Sequence, residues 1–189
     1  MEHRTRPELD EALDSVMGAP AGRGTLELIV SRPAVDEREV LPVGFLSTTE
    51  GLRGDNWIDR PSRHTPDGGP HPGKQLNVIS SRVSELLAGR DPRSRALAGD
   101  QLHLDLDLSE ANLPAGTRVR IGAAVIEVTS EPHRGCAKFA RRFGTEARNW
   151  VNDGEVRGLR LRGLCARVVT GGAVAAGDPV VKLDPGAAH

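Results

Sequence analysis

Residues 101–108 read QLHLDLDL, an unbroken alternation that sets Leu102, Leu104, Leu106 and Leu108 on one side and His103, Asp105 and Asp107 on the other. A period of two predicts a strand with one face in a core and the other toward water. Outward from it, other segments of strand character lie at 25–31 (TLELIVS, closed by Arg32-Pro33), 37–46, 74–80 (KQLNVIS), 118–121 and 125–129. The last two flank Gly122 as a hairpin, and 164–170 and 179–183 are strands on either side of a glycine-rich turn, GGAVAAGD. Helical spacing is confined to short stretches: 7–17, with Leu9, Leu13, Val16 and Met17 on one stripe, then 82–87 behind Ser80 and Ser81 as caps, 137–143 and 146–152. Strands spread through the chain without a βαβ rhythm predict an α+β, mainly β, barrel-like domain over residues 24–189, preceded by a helical arm at 1–23. That arm is free to pack on the body or on a partner. The final DPGAAH reads as frayed.

Composition narrows the function. Lysine plus arginine number 25 against 26 acids, a net charge of −1, and there are three phenylalanines, two tryptophans and no tyrosine. Such a chain lacks both the global field and the aromatic platform of a nucleic-acid binder. Two cysteines are too few for a disulfide scaffold or a four-cysteine zinc site, and no apolar run approaches a membrane span or signal peptide. These features read as a cytoplasmic protein with no membrane partner. The segment 50–73, punctuated by glycine and proline, is long enough for a loop to suggest function.

The sharpest constellation is EPHRGCAK at 131–138. Cys136 leaves a strand through Pro132 and Gly135 and enters a helix, where free N–H groups and the helix dipole favour a thiolate. Lys138, Arg141 and Arg142 form a basic stripe on that helix, expected to lower the thiol further. Eight cations (Arg134, Lys138, Arg141, Arg142, Arg148, Arg157, Arg160 and Arg162) face only Glu146, Asp153 and Glu155 across 133–162, a local anion site in a near-neutral molecule. The competing reading makes Cys136 a small buried residue and the arginines a solvated face. Cys165, within LCARVV, reads as a core strand residue, and His64, His71 and His103 as isolated polar surface residues. A zinc site from His133, Cys136 and Cys165 lacks a fourth ligand. GLRGD at 51–55 offers a glycine-assisted approach to an anion beside Arg53, or simply a tight turn; Lys74 and Gln75 either point at a ligand or start a strand at the surface.

Taken in order, GLRGD (51–55), KQLNVIS (74–80), GDQLHLDLDL (99–108), LPAGTRVRIGAAVIEV (113–128), EPHRGCAKFARRFG (131–144) and RLRGLCARVVTGGAVAAGDPV (160–180) resemble the MOSC domain, the C-terminal domain of molybdenum cofactor sulfurases, which also occurs as a stand-alone bacterial protein. The resemblance spans about residues 24–183. It implies a MOSC-type β-barrel with a pocket for the molybdenum cofactor (molybdopterin) and a family cysteine that matches Cys136, either carrying sulfur or ligating molybdenum. It further implies cofactor-binding roles for Arg53, Asp55, Lys74, Gln75, His133, Lys138, Arg141 and Arg162. The aminotransferase-like domain of the fused sulfurases is absent from this sequence, so no pyridoxal phosphate site is expected, and neither is the extra barrel of the reductase-type relatives. Sulfur transfer, or reduction of N-oxygenated compounds, would then call for a cysteine desulfurase or a redox partner. The other reading is a non-enzymatic carrier that delivers the cofactor to a partner enzyme. HTPDGGPHPG (64–73) stands where many relatives have a shorter segment.

Overall fold

The computed structural model describes residues 3–184. In chain order the strands are β1 (Arg23–Ser31), β2 (Glu39–Leu41), β3 (Val43–Ser47), β4 (Gly51–Leu52), β5 (Leu76–Ser80), β6 (Leu102–Asp105), β7 (Arg118–Ile121), β8 (Ala124–Val128), β9 (Leu164–Thr170), β10 (Gly172–Ala175) and β11 (Pro179–Lys182). The helices are α1 (Arg6–Glu11), α2 (Leu13–Met17), α3 (Ser81–Ala88), α4 (Pro92–Ala96), α5 (Ala137–Phe143) and α6 (Thr145–Val151). Seven strands close a barrel in the order β1-β11-β7-β8-β9-β5-β6, with β6 returning to β1. The nine-residue β1 does the closing. It pairs with β11 over 23–25, with β6 over 25–29, where a bulge between Leu26 and Leu28 shifts the register, and with β2 over 29–31. A three-stranded sheet, β10-β3-β4, lies beside the barrel.

The segment 37–46 becomes two strands because Pro42 cannot donate to a ladder, so β2 and β3 join different sheets. GGAVAAGD is not only a turn. Its first half is β10, where Gly172 lies so close to Ala123 that a Cβ would stand 2.7 Å from the backbone. Against the expected absence of βαβ rhythm, β5 and β6 run parallel, joined by α3 and by α4, which is capped by Asp91 and started by Pro92. This crossover also overturns the surface reading of His103. The outer face of β6 is covered by α3, so Arg82 pairs with Asp105 at 2.7 Å and His103 is fully buried, its Nδ1 2.9 Å from Ser84 Oγ. Its Nε2 has no partner among the described residues.

Two clusters make the core. One fills the barrel with Leu26, Ile29, Val78, Leu102, Leu104, Ile126 and Ala166 among others. The other lies outside it, where Phe139, Phe143, Ala147 and Trp150 of α5 and α6 pack on Ile79, Val83 and Leu9. Leu9 is wholly buried there, so the N-terminal arm packs on the body. The DPGAAH reading falls, from Pro185 onward, outside the described residues. No helix among them is long and apolar enough to cross a membrane.

Burial pushes the His103 imidazole down to about 4, the Asp100 carboxylate opposing and Arg95 and Arg162 reinforcing. A histidine held below its unfolded value loses stability as pH falls from about 6.5 toward its folded value, at up to about 1.4 kcal/mol per pH unit for one proton. Urea unfolding between pH 7 and 4 should show this fall, and His103→Gln should flatten it; an unchanged slope would contradict the assignment. Gly163 has φ +101 and a Cβ there would stand 2.0 Å from the Val78 carbonyl oxygen, so Gly163→Ala should cost at least about 2 kcal/mol in the same measurement.

Candidate functional site

Pro132, just beyond the end of β8 at Val128, cannot extend a ladder, and the chain crosses in the open to the start of α5. Cys136 is the N-cap of that helix, in extended backbone (φ −100, ψ −178), and its side chain is exposed. The turn before it is pinned by Asn152, whose Oδ1 accepts from the Gly135 N–H and whose Nδ2 donates to the Gly135 carbonyl, both at 2.9 Å. Partial burial pushes the thiol up, but the N–H groups of Phe139 and Lys138 and the charge of Arg162 pull it below its ordinary value. The basic stripe is not the agent. Lys138 and Arg142 are both engaged by Asp36, at 3.2 and 2.9 Å.

Behind Cys136 lies a fully buried carboxylate, Asp100. Both its oxygens accept from Arg162 Nη1 (2.8 and 2.7 Å), and Oδ1 also faces His133 Nε2 at 2.6 Å. Burial raises the Asp100 carboxyl, but Arg162 and His133 outweigh it and hold it well below the usual carboxylate range. Burial and Arg162 lower His133 as well, against the opposing pull of Asp100. Arg162 also donates Nη2 to the Ala98 carbonyl at 3.1 Å and stacks 4.9 Å from the Phe139 ring centre.

The neighbouring Gly99 carbonyl accepts from Arg32, which Asp55 holds through its Nε and Nη2 at 2.7 and 2.8 Å in a second buried ion pair. Over Gly99 stands Arg38, with Arg142 close by; the Arg38 Nε is buried without a partner. Burial brings the Arg38 guanidinium down to about 10, with Arg142, Arg32 and Arg60 repelling it. Partial burial and the Arg32 charge lower Arg60 in turn. These guanidiniums repel one another and leave one buried N–H without a partner, a cluster of charge that an anion would relieve.

The sequence profile of the MOSC domain matches residues 71–181. The chain belongs to the MOSC domain family. Among solved structures it is similar to the YuaD protein from Bacillus subtilis, with a TM-score of 0.60 at 16% identity over 86% of this chain and 97% of that one. YiiM from Escherichia coli gives 0.55 at 20% identity over 86% and 70%. At these identities the likeness concerns the barrel fold. No curated protein matches the chain in sequence.

Within this MOSC barrel the residues singled out from the sequence separate into groups. Cys136, His133 and Arg162 come together around Asp100. Lys138 lies on the same helix but is tied to Asp36, and Arg141 is exposed. The Asp55 side chain is completely buried, paired with Arg32 and close enough to Arg60 to offset part of that guanidinium's repulsion. Gln75 is a buried strut, Nε2 donating to the Thr48 carbonyl and Oε1 accepting from the Val168 N–H. Arg53 pairs with Glu50 at 3.0 Å and lies over Phe45 on the side sheet. Lys74 is 3.5 Å from Glu131. Sequence reasoning passed over Asp100, Arg32, Arg38 and Arg60; the one signal was a charged residue, Asp100, opening the alternating strand. Cys165 is buried on β9, where burial raises its thiol to about 12. Among the described residues no cluster of three or more His, Cys, Asp or Glu side chains could hold a metal.

The two thiols should therefore separate cleanly. Iodoacetamide should label Cys136 alone in the native protein, with a rate–pH midpoint below the ~8.5 of a free cysteine. Cys165 should react only after unfolding. Equal labelling of both, or a Cys136 midpoint above 8.5, would contradict this account.

Proposed function

We propose that this protein binds the molybdenum cofactor, with the Cys136 thiolate directed at molybdenum and the guanidiniums of Arg38 and Arg60 at the anionic, phosphate-bearing end of the pterin. The observation that carries this reading is the juxtaposition of an exposed thiol held below its ordinary value with a basin of mutually repelling arginines, both built on the Gly99–Asp100 segment. The residues fit the group. A metal-ligating cysteine must be deprotonated, and a phosphate needs convergent N–H donors such as the buried, unpartnered Arg38 Nε.

When bound, the cofactor supplies the metal-centred redox and sulfur chemistry of molybdenum. The chain's own residues do the rest. Arg162 and the first N–H groups of α5 favour the thiolate of Cys136, and His133 faces the Asp100 carboxylate that fixes Arg162. Arg32, fixed by Asp55, orients the Gly99 carbonyl under Arg38. Reduction of N-oxygenated compounds, or passage of sulfur through Cys136, would use a redox partner or a cysteine desulfurase. Because the thiol is exposed, a delivery role toward a partner enzyme is the second reading.

The test uses protein purified from a host that makes the cofactor, with molybdenum measured by mass spectrometry and oxidised pterin by fluorescence. Wild type should carry both near one per chain. Cys136→Ala should lose molybdenum while retaining more pterin, and Arg38→Ala/Arg60→Ala should lose both. Wild-type protein empty of pterin even after loading in vitro would overturn the proposal.

A further inference from the structure

A basic concavity flanks the cysteine turn. It is a half-open cleft of about 550 Å³ between residues 129–137, the end of α6 and the stretch before β9. Gly135 and Ala137 line it and Cys136 does not; Arg38 and Arg60 are likewise absent from its walls. Five of the chain's arginines line it, and their state decides what it can hold.

Arg162 is committed to Asp100, and Arg160 to the Leu113 carbonyl with Glu110 at 3.8 Å. Arg134 and Arg157 have no carboxylate within ion-pair distance among the described residues, and Arg148 has only the neutral Asn149 Oδ1, at 2.9 Å. The cleft's own acids cannot neutralise them. Glu131 faces Lys74 at 3.5 Å and His71 at 3.8 Å, Asp153 faces Arg6 at 2.9 Å, and Glu110 lies by Arg160. The carbonyls of Asn149 and Trp150, at the end of α6, already accept from the Asn152 and Asp153 N–H groups. Three guanidiniums without a carboxylate partner among the described residues therefore belong to the lining of a volume within the range of a small-molecule site, roughly 300–1,000 Å³.

We propose that this cleft binds a small organic polyanion, a phosphate ester or a polycarboxylate, through Arg134, Arg148 and Arg157. The two sources share the chemistry that matters, several anionic oxygens spaced to meet forked N–H donors. A single small anion would leave most of the space and at least one guanidinium unused. The cleft shares none of Arg32, Arg38 and Arg60, although His133 and Arg162, which support Cys136 in the proposed cofactor site, also line it.

Calorimetric titration of the full chain with pyrophosphate, citrate and inorganic phosphate tests it. Pyrophosphate or citrate should bind one per chain and more tightly than phosphate; the tighter of the two identifies the source. Arg148→Ala/Arg157→Ala should weaken binding by roughly tenfold or more, the scale of one lost charge-assisted contact. The paired Lys variants should recover part of it, and Arg38→Ala/Arg60→Ala should leave it unchanged. No binding by any of the three anions, or a loss that follows Arg38 and Arg60 but not Arg148 and Arg157, would overturn the proposal, whatever the cofactor content.

Discussion

Taking the Asp100 carboxylate out of water costs several kcal/mol, and the chain offsets this with groups from two distant segments, Arg162 before β9 and His133 after β8. The requirement runs both ways. Arg162 needs the carboxylate to be buried beside Phe139, and α5, which carries Phe139, is thereby held where its first N–H groups meet the Cys136 thiol. Removing one partner from such a buried pair typically costs about 3–5 kcal/mol, far more than the pair contributes over apolar replacements. The pair is thus better understood as fixing position than as supplying stability. Its product is a thiol held below its ordinary value at a turn pinned by Asn152.

The same logic appears with opposite sign a few residues away. Arg32 is satisfied by Asp55, yet Arg38, Arg60 and Arg142 are gathered near it with only the exposed Asp36 in reach of Arg142. Like charges at such range destabilise the fold, and native chains keep them where something else repays the repulsion. A bound anion does so by mass action, in proportion to its concentration over its dissociation constant. If the proposed cofactor binds here, its binding and the stability of the fold would be coupled at these arginines, whereas at Asp100 the compensation is internal.

How far this could be read from the sequence depends on how local each determinant is. The barrel strands announce themselves by alternation, and Cys136 by the Pro132–Gly135–Cys136 exit into a helix; both signals lie within a few residues. The Arg32–Asp55 pair spans 23 positions and Asp100–Arg162 spans 62, and nothing in either neighbourhood marks the partner. His103 misleads for the same reason. Its alternation is real, but whether the polar side of β6 meets water depends on α3, and α3 returns over it only because β5 and β6 pair in parallel. β10 escaped because glycine and alanine carry no side-chain pattern to alternate. GLRGD looked like an anion loop because its composition suits one, yet its arginine points to Phe45 on the side sheet and its aspartate inward to Arg32.

The architecture separates stability from chemistry. None of the residues argued to hold an anion, a metal or a reactive proton belongs to the cluster that fills the barrel. The site instead rests on the second cluster, in which α5 and α6 pack against the outside of β5 and α3 and are braced by Leu9 of the N-terminal arm. Closed barrels have no free edges to rearrange, so change at the site must be accommodated by this outer layer. Asn152 completes the link. It follows α6 directly, and through its paired hydrogen bonds to Gly135 any shift of α6 is passed to the turn that presents Cys136. The arm that braces α6 is thus joined to the cysteine turn by a continuous run of packing and hydrogen bonds without touching it.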